Sequence, residues 1–369
     1  MRPAVPARTD SPSGTAGLPG SFFPDDDTTV ARSREPVETG PQEALVTQSP
    51  VPRLSLPLPE CPPHPSADAL EEQAYRWALD RGLVDERGHR KLAASRIVTC
   101  GTGYFGDAPP KLLETISRWY VWLVVLDDFV DDELISSDAD EQRHVMDNLL
   151  AELSAIFAGE PVEPGNPLSR AVAEDLWPGV SQGTSPCWRA RFGADCRLMV
   201  ESIWWDARVR CGLSEQPRDL AAYLARRRQS IGASIFCDML EVILDLSIGD
   251  EFHRSPIYRE LIEAVLDTTG WVNDVWSVPK DVADGELNLV LLLAAQENRP
   301  WQDSVRPAMK MIEARVEDFV AHQRALPRVM EISGFGAQEV DQGRLLASRL
   351  AFMIQACVDC HQLSARWAE

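Results

Sequence analysis

Apolar residues recur at spacings of three and four along most of the chain from about residue 66 onwards. This period places them on one face of an α-helix, and we find no train of alternating strands and no internal repeat. Ser66 is a candidate N-cap for a first helix that stops at Gly82. The pattern predicts an all-α domain, whose longer helical segments are 112–132, 219–246, 260–281, 307–326 and 343–367.

Residues 1–64 have a different texture, rich in Pro, Ser, Gly, Thr and Asp and with little apolar periodicity. A segment of this composition cannot bury enough apolar surface to offset the entropy lost on ordering. We therefore predict a disordered tail over 1–64, with the proline-rich stretch 49–65 as an extended lead-in. One folded domain over 65–369 should follow, and residues 1–55 should be dispensable.

The composition excludes several classes of partner. A net charge of −21 argues against binding to nucleic acid or to an anionic membrane. The start of the chain lacks the apolar core of a signal peptide, and no apolar run approaches the ~20 residues of a membrane helix. We therefore expect a cytoplasmic protein whose eight cysteines are reduced thiols.

The most unusual stretch is LDDFVDDE, which follows the apolar run 119–126 and holds five acidic residues within seven positions. On a helix, Asp127 and Asp131 share a face one turn apart, and Asp128 and Asp132 form a second such pair. These carboxylates repel one another unless a cation neutralises them, and Mg²⁺ prefers oxygen ligands of this kind. A solvated acidic helix end is the alternative interpretation.

A second polar stripe lies in NDVWSVPKD, where Asn273, Ser277 and Asp281 recur every four residues among apolar neighbours. Oxygen-bearing side chains on a buried helix need partners. Either a metal ion or an internal hydrogen-bond network would supply them. Pro279 removes one backbone hydrogen bond, which predicts that the helix kinks or ends there.

These two motifs, in this order and about 145 residues apart, resemble the signature motifs of bacterial-type class I terpene synthases. The segments WALDRGLV (77–84) and GELNLVLLL (285–293) are similar to that family as well, so the resemblance runs from about residue 60 to the C-terminus. It implies a single class I terpenoid synthase α-helical bundle with a central active-site cavity.

The resemblance also implies a metal site. The family uses three Mg²⁺ ions, of which the first motif would hold two and the second motif the third. The implied ligands are Asp127, Asp131, Asp132, Asn273, Ser277 and Asp281.

The family further implies a group of residues that contact the diphosphate. Its diphosphate-sensing arginine lies 46 residues before the Asn of the second motif, which is Arg227 here. Ser230 and Ile231 would be its linker and effector, and Lys280 would join the anion clamp. The arginines on either side of Arg227 are expected to point away from the diphosphate, towards other structure or towards water.

At the C-terminus, Arg366 and Trp367 stand where the family has an Arg-Tyr pair. Arg366 can bind phosphate through two hydrogen bonds, whereas the indole of Trp367 can donate a hydrogen bond but cannot accept one. Aromatic side chains would line the cavity and stabilise a carbocation. The candidates are Phe129, Trp204, Trp271, Trp276 and Trp367.

The predicted activity is ionisation and cyclisation of a linear prenyl diphosphate, with farnesyl diphosphate as the first choice of substrate. Geranylgeranyl diphosphate comes next and methylated geranyl diphosphate third, and a prenyl-chain elongating enzyme is a further alternative. A non-catalytic or haem-carrying helical protein is the alternative from another class, because Cys357 to His361 matches the C-x-x-C-H pattern of haem attachment. A homodimer is an open alternative to a monomer.

Overall fold

A computed structural model of the protein describes residues 51–106, 108–217 and 219–363. In this part of the chain all regular structure is helical, as predicted. Among the described helices, none is both long and apolar enough to cross a membrane. The helices are α1 Ala67–Asp80, α2 Glu86–Ser95, α3 Ile97–Thr102, α4 Pro110–Asp128, α5 Ala139–Ala158, α6 Pro167–Ala171, α7 Trp177–Ser181, α8 Pro186–Arg210, α9 Leu220–Ser230, α10 Ser234–Ile243, α11 Asp250–His253, α12 Pro256–Asp284, α13 Leu289–Gln296, α14 Gln302–Ile332 and α15 Ala337–Leu363.

Three of the helices that carry the site begin at a side-chain cap. Ser185 accepts a hydrogen bond from the backbone N–H of the third residue of α8, and Ser255 does the same for α12. Asp219 caps α9 in the same way. Each cap satisfies a backbone donor that the first turn of a helix leaves unpaired. These local signals fix where α8, α9 and α12 start. By contrast, Ser66 precedes α1 but makes no capping hydrogen bond.

The helices enclose two clusters of buried apolar side chains. The larger cluster includes Trp119 and Trp122 of α4, which are fully buried. The smaller cluster lies where α12 packs against α13 and α14, and it includes Trp271 and Trp276. Helix α12 thus has apolar neighbours along most of its length, and its polar stripe faces a cavity.

The predicted helix over 219–246 is divided in two by residues 231–233. Gly232 adopts a left-handed backbone with φ of 72°. A Cβ atom at this position would also lie only 2.7 Å from Leu123 Cδ2 of α4. Glycine fits both conditions, because it has no Cβ and tolerates positive φ. The break directs the end of α9 towards the interior of the bundle.

Pro279 does not end α12, contrary to one of the two predicted outcomes. The helix continues to Asp284 and stops at Gly285, which has a left-handed φ of 71°. Proline costs one backbone hydrogen bond within a helix. The buried packing of α12 offsets this cost, and Asp281 remains on the helix beyond the proline.

The segment 51–65 contains no helix, but it packs against the domain. Leu54 is buried in the smaller apolar cluster and Cys61 in the larger one. The folded part of the chain therefore begins before the predicted boundary at residue 65. The rest of the predicted tail, residues 1–50, lies outside the described residues.

This packing revises the prediction about truncation. Deleting residues 1–48 should leave the melting temperature nearly unchanged, whereas deleting residues 1–56 also removes Leu54. Burial of a leucine side chain stabilises by about 2–3 kcal/mol, so the longer deletion should lower the melting temperature measurably. Thermal unfolding of both truncated proteins, followed by circular dichroism, checks this. Equal melting temperatures would contradict a structural role for the lead-in.

Candidate active site

A cavity of about 270 Å³ lies inside the helical bundle. Asp127 and Asp131 line it from the end of α4, and Asn273, Ser277 and Asp281 line it from α12. The two sequence motifs, about 145 residues apart in the chain, therefore face one common space.

The first motif lies where α4 widens into a π-helical turn, Phe129–Glu133. Asp128 points away to Lys91, with 2.8 Å between the carboxylate Oδ1 and Nζ. Asp131 lines the cavity and accepts a hydrogen bond of 2.9 Å from Arg210. Burial raises the pKa of Asp131, and the hydrogen bond from Arg210 opposes this effect. The side chain of Asp132 lies outside the described part of the structure.

The second motif forms a connected polar stripe along α12. The hydroxyl of Ser277 donates to Asp281 Oδ2 at 2.6 Å, and the amide of Asn288 donates to the same oxygen at 2.6 Å. Asn273 Nδ2 lies 3.3 Å from His361 Nε2. Burial raises the pKa of Asp281 to about 7, although the hydrogen bond from Ser277 favours the carboxylate. A cation bound here would favour the ionised form.

The donor atoms of the two motifs fit a hard divalent cation. Within the described residues, no three His, Cys, Asp or Glu side chains lie close enough together to hold a metal ion. Mg²⁺, however, usually binds one or two protein carboxylates and takes its other ligands from water and substrate phosphates. The side chains that face the cavity from both motifs offer carboxylate, amide and hydroxyl oxygens, so they suit Mg²⁺ better than a softer metal ion.

Arg227 lies against α12 and is held in place by several hydrogen bonds. Its Nε donates to Asp274 Oδ1 at 2.8 Å, and its Nη2 donates to Asn273 Oδ1 at 2.6 Å. The hydroxyl of Tyr223 also donates to Asp274. A Cβ atom on Gly270 would lie 3.0 Å from Arg227 Cγ, so glycine allows this close approach. The predicted sensor is thus fixed beside the second motif, 46 residues away in sequence.

The two neighbouring arginines contact other side chains, which is one of the two expected alternatives. Arg226 also lines the cavity, and its guanidinium lies 4.0 Å from the centre of the Trp205 ring. Arg228 forms two hydrogen bonds with Asp267, which is almost fully buried, and a third with Glu263. The sequence could not decide between the alternatives, because the periodicity of α9 does not reveal that both α8 and α12 pack against it.

Three of the other residues predicted to act on the diphosphate line the cavity, namely Ser230, Ile231 and Lys280. The ammonium of Lys280 lies 3.0 Å from Glu286 Oε1 and 3.2 Å from Asp284 Oδ2. Arg366 and Trp367 lie outside the described residues.

The aromatic side chains that line the cavity are not the predicted ones. Among the described residues, the cavity is lined by Tyr104, Tyr120, Tyr223 and Phe236. Of the candidates, Trp271 and Trp276 belong to the smaller apolar cluster, and Phe129 and Trp204 pack against the larger one. None of these four lines the cavity, so they follow the alternative of ordinary core packing, and Trp367 lies outside the described residues. Apolar periodicity identifies burial but does not distinguish core from cavity wall.

Three charged residues of the cavity were missed in the sequence. Asp206 lies near Arg227, and burial raises its pKa to about 6 despite a hydrogen bond with Ser230. Arg210 and Glu286 form an ion pair of 3.0 Å across the cavity wall. Glu286 belongs to the family-like segment GELNLVLLL, which could have drawn attention to it. Nothing local marks Asp206 or Arg210.

The C-x-x-C-H segment lies on α15, and Cys357, Cys360 and His361 all line the cavity. Cys360 is disulfide-bonded, whereas Cys357 is a free thiol. The expectation that all cysteines are reduced is therefore wrong at Cys360. Attachment of a c-type haem needs both thiols, so the haem interpretation does not fit this structure.

Comparison with known proteins agrees with this geometry. The sequence model of "Terpene synthase family 2, C-terminal metal binding" matches residues 118–318, which is more than half of the chain. Pentalenene synthase of Streptomyces avermitilis is 27% identical over 314 residues, covering 82% of this chain and 89% of that protein. The 10-epi-cubebol synthase of Sorangium cellulosum is 25% identical over 277 residues, covering 74% and 86%.

Solved structures show the same fold. The crystal structure of a-eudesmol synthase has a TM-score of 0.74 at 21% identity, covering 85% of this chain and 99% of that chain. The linalool/nerolidol synthase of Streptomyces clavuligerus, solved with 2-fluorogeranyl diphosphate, has a TM-score of 0.71 at 18% identity, with the same coverage. The family match, the all-α fold and the two motifs on one cavity agree, and the chain belongs to terpene synthase family 2 as a class I terpene synthase of bacterial type, a lyase that acts on a prenyl diphosphate.

Proposed function

We propose that this terpene synthase ionises farnesyl diphosphate with the help of three Mg²⁺ ions and cyclises the resulting carbocation. The observation that carries the proposal is the shared cavity. Two groups of oxygen-bearing side chains and several cationic side chains line it, together with aromatic and aliphatic side chains.

The polar part of the wall would bind the diphosphate. Mg²⁺ held by Asp127, Asp131, Asp132, Asn273, Ser277 and Asp281 would neutralise the negative charge that develops on the leaving group. Arg227 donates one hydrogen bond to Asp274 and lines the cavity, so its guanidinium is already oriented before substrate arrives. Lys280, with Arg366 and Trp367 of the C-terminus, would complete the clamp.

The segment between α9 and α10 would take part in ionisation. Ser230 and Ile231 follow Arg227 directly and line the cavity, and the helix is interrupted there by the left-handed Gly232. A peptide carbonyl released from a helix can point its dipole at a developing positive charge. We propose that Ile231 contributes such a carbonyl and that Ser230 connects it to the arginine.

The apolar part of the wall would hold and shield the carbocation. Tyr120 stacks on Phe236 with 3.9 Å between ring centres, and both rings line the cavity. An aromatic face attracts a nearby cation by about 0.5–2 kcal/mol. Leu123 and Val124 add an aliphatic wall that carries no nucleophile.

Incubation with a panel of substrates tests this proposal. The purified protein would receive Mg²⁺ and the C10, C15, C20 or C25 prenyl diphosphate, and gas chromatography would analyse the extracts. We expect a cyclic product from the C15 diphosphate and none when EDTA replaces the metal. A dominant C20 product would replace farnesyl by geranylgeranyl diphosphate, and no product from any of the four would refute the activity. Gel filtration of the same sample would show whether the protein is a monomer or a homodimer.

A further inference from the structure

Arg210 has an unusual position among the cations of the cavity. It is the last residue of α8, its side chain is 15% exposed, and it lines the same cavity as Arg227 and Lys280. Its Nη2 donates to Asp131 Oδ1 at 2.9 Å and its Nη1 donates to Glu286 Oε1 at 3.0 Å. The guanidinium of Arg210 therefore joins the turn that follows α4 to the loop that follows α12.

The partners of Arg210 differ in kind from those of Arg227. Arg227 pairs with Asp274, which is 1% exposed and does not line the cavity, so nothing that enters the cavity competes for that carboxylate. Both partners of Arg210 line the cavity themselves. Asp131 is moreover a proposed metal ligand, so metal binding would withdraw one of the two carboxylates that hold Arg210.

Glu286 is shared between two cations of the cavity. Its Oε1 accepts from both Arg210 and Lys280, each at 3.0 Å. Each cation also has a second carboxylate partner, Asp131 for Arg210 and Asp284 for Lys280. A diphosphate offers several anionic oxygens and suits a guanidinium that binds through two hydrogen bonds. It would therefore compete with Glu286 for Arg210 and for Lys280.

From this arrangement we propose that Arg210 is a further diphosphate-binding residue, which exchanges Asp131 and Glu286 for the diphosphate when metal and substrate bind. This inference rests on the proposed function. Glu286 keeps the two cations oriented in the empty enzyme and releases them to the substrate. The exchange would couple metal binding at the first motif to binding of the leaving group by Arg210.

Binding of inorganic pyrophosphate in the presence of Mg²⁺, measured by calorimetry, tests the exchange without turnover. Arg210→Gln should weaken binding by about 10- to 100-fold, the value of a hydrogen bond to a charged group. Glu286→Gln should tighten it by about threefold to tenfold, since the competing charge is gone. If the ion pair between Arg210 and Glu286 had only a structural role, both variants should weaken pyrophosphate binding, because both lose this ion pair.

Lys91→Gln is the matched control, since Lys91 pairs with Asp128 of the same motif, away from Asp131. It should leave binding unchanged. Unaltered binding by Arg210→Gln, or weaker binding by Glu286→Gln, would overturn the proposal, and Glu286→Gln decides alone if Arg210→Gln does not fold. The wild type separates the two hypotheses. If the wild type does not bind pyrophosphate with Mg²⁺, the proposed function fails. If the wild type binds and Arg210→Gln binds equally well, only the role of Arg210 is refuted.

Discussion

Replacing Asn273 by alanine is expected to reduce turnover by a factor of about 10³ while leaving the fold intact. Asn273 lines the cavity and its Oδ1 accepts a hydrogen bond of 2.6 Å from Arg227. The substitution removes an oxygen ligand from the second motif and the contact that joins this motif to the sensor. Because Asn273 is only partly buried, the loss of its amide should cost little stability.

Rates of product formation over a range of Mg²⁺ concentrations, together with circular dichroism, would check this expectation. Asn148→Ala is a matched control, since Asn148 is an exposed residue of α5 that does not line the cavity. Asp127→Asn should show a similar loss from the opposite wall of the cavity, because an amide is a weaker metal ligand than a carboxylate. A wild-type rate in Asn273→Ala at every metal concentration would refute the metal assignment of the second motif.

Replacing Arg227 by alanine is expected to reduce turnover by about 10²–10³, the usual cost of losing one preorganised electrostatic stabiliser. The guanidinium is oriented by Asp274 and Asn273 within the cavity wall. The variant also leaves the carboxylate of Asp274, which is 1% exposed, without this charged partner. Tyr223 and the backbone N–H of Leu289 still donate to Asp274, so we expect a folded but slow enzyme.

The neighbouring arginines should give different results for different reasons. Arg226→Ala removes a cation that stacks on Trp205, and we expect a loss of turnover within about tenfold. Arg228→Ala leaves buried Asp267 with Arg315 as its remaining cationic partner, so it should lower the melting temperature and change the rate little.

Turnover at saturating substrate and thermal unfolding, measured for the three single variants, separate these effects. A large rate loss in Arg226→Ala or Arg228→Ala with a normal rate in Arg227→Ala would place the sensor one position away. It would also remove the assignments of Ser230 and Ile231. Normal rates in all three variants would mean that the diphosphate is bound elsewhere.

The sequence by itself determined the all-α class and the positions of the two polar motifs on their helices. It did so because both are local: apolar residues three and four apart need one helix face, and Asn273, Ser277 and Asp281 share a stripe at every fourth residue. The polar stripe stays on a single helix despite the interior proline, since α12 continues through Pro279. Arg227 was predicted as a site residue through its spacing in a known family rather than through any local pattern, and it lines the cavity.

Tertiary structure alone decided which side chains meet. Arg210 and Glu286 are 76 residues apart in the chain, and no local pattern relates them. Tyr120 and Trp271 are both aromatic residues on largely buried helices, yet Tyr120 lines the cavity and Trp271 packs in a core cluster. The physical reason is that apolar periodicity shows only which face of a helix is removed from water. Whether the neighbour is another side chain or a ligand cavity depends on how separate helices pack, which a single helix does not encode.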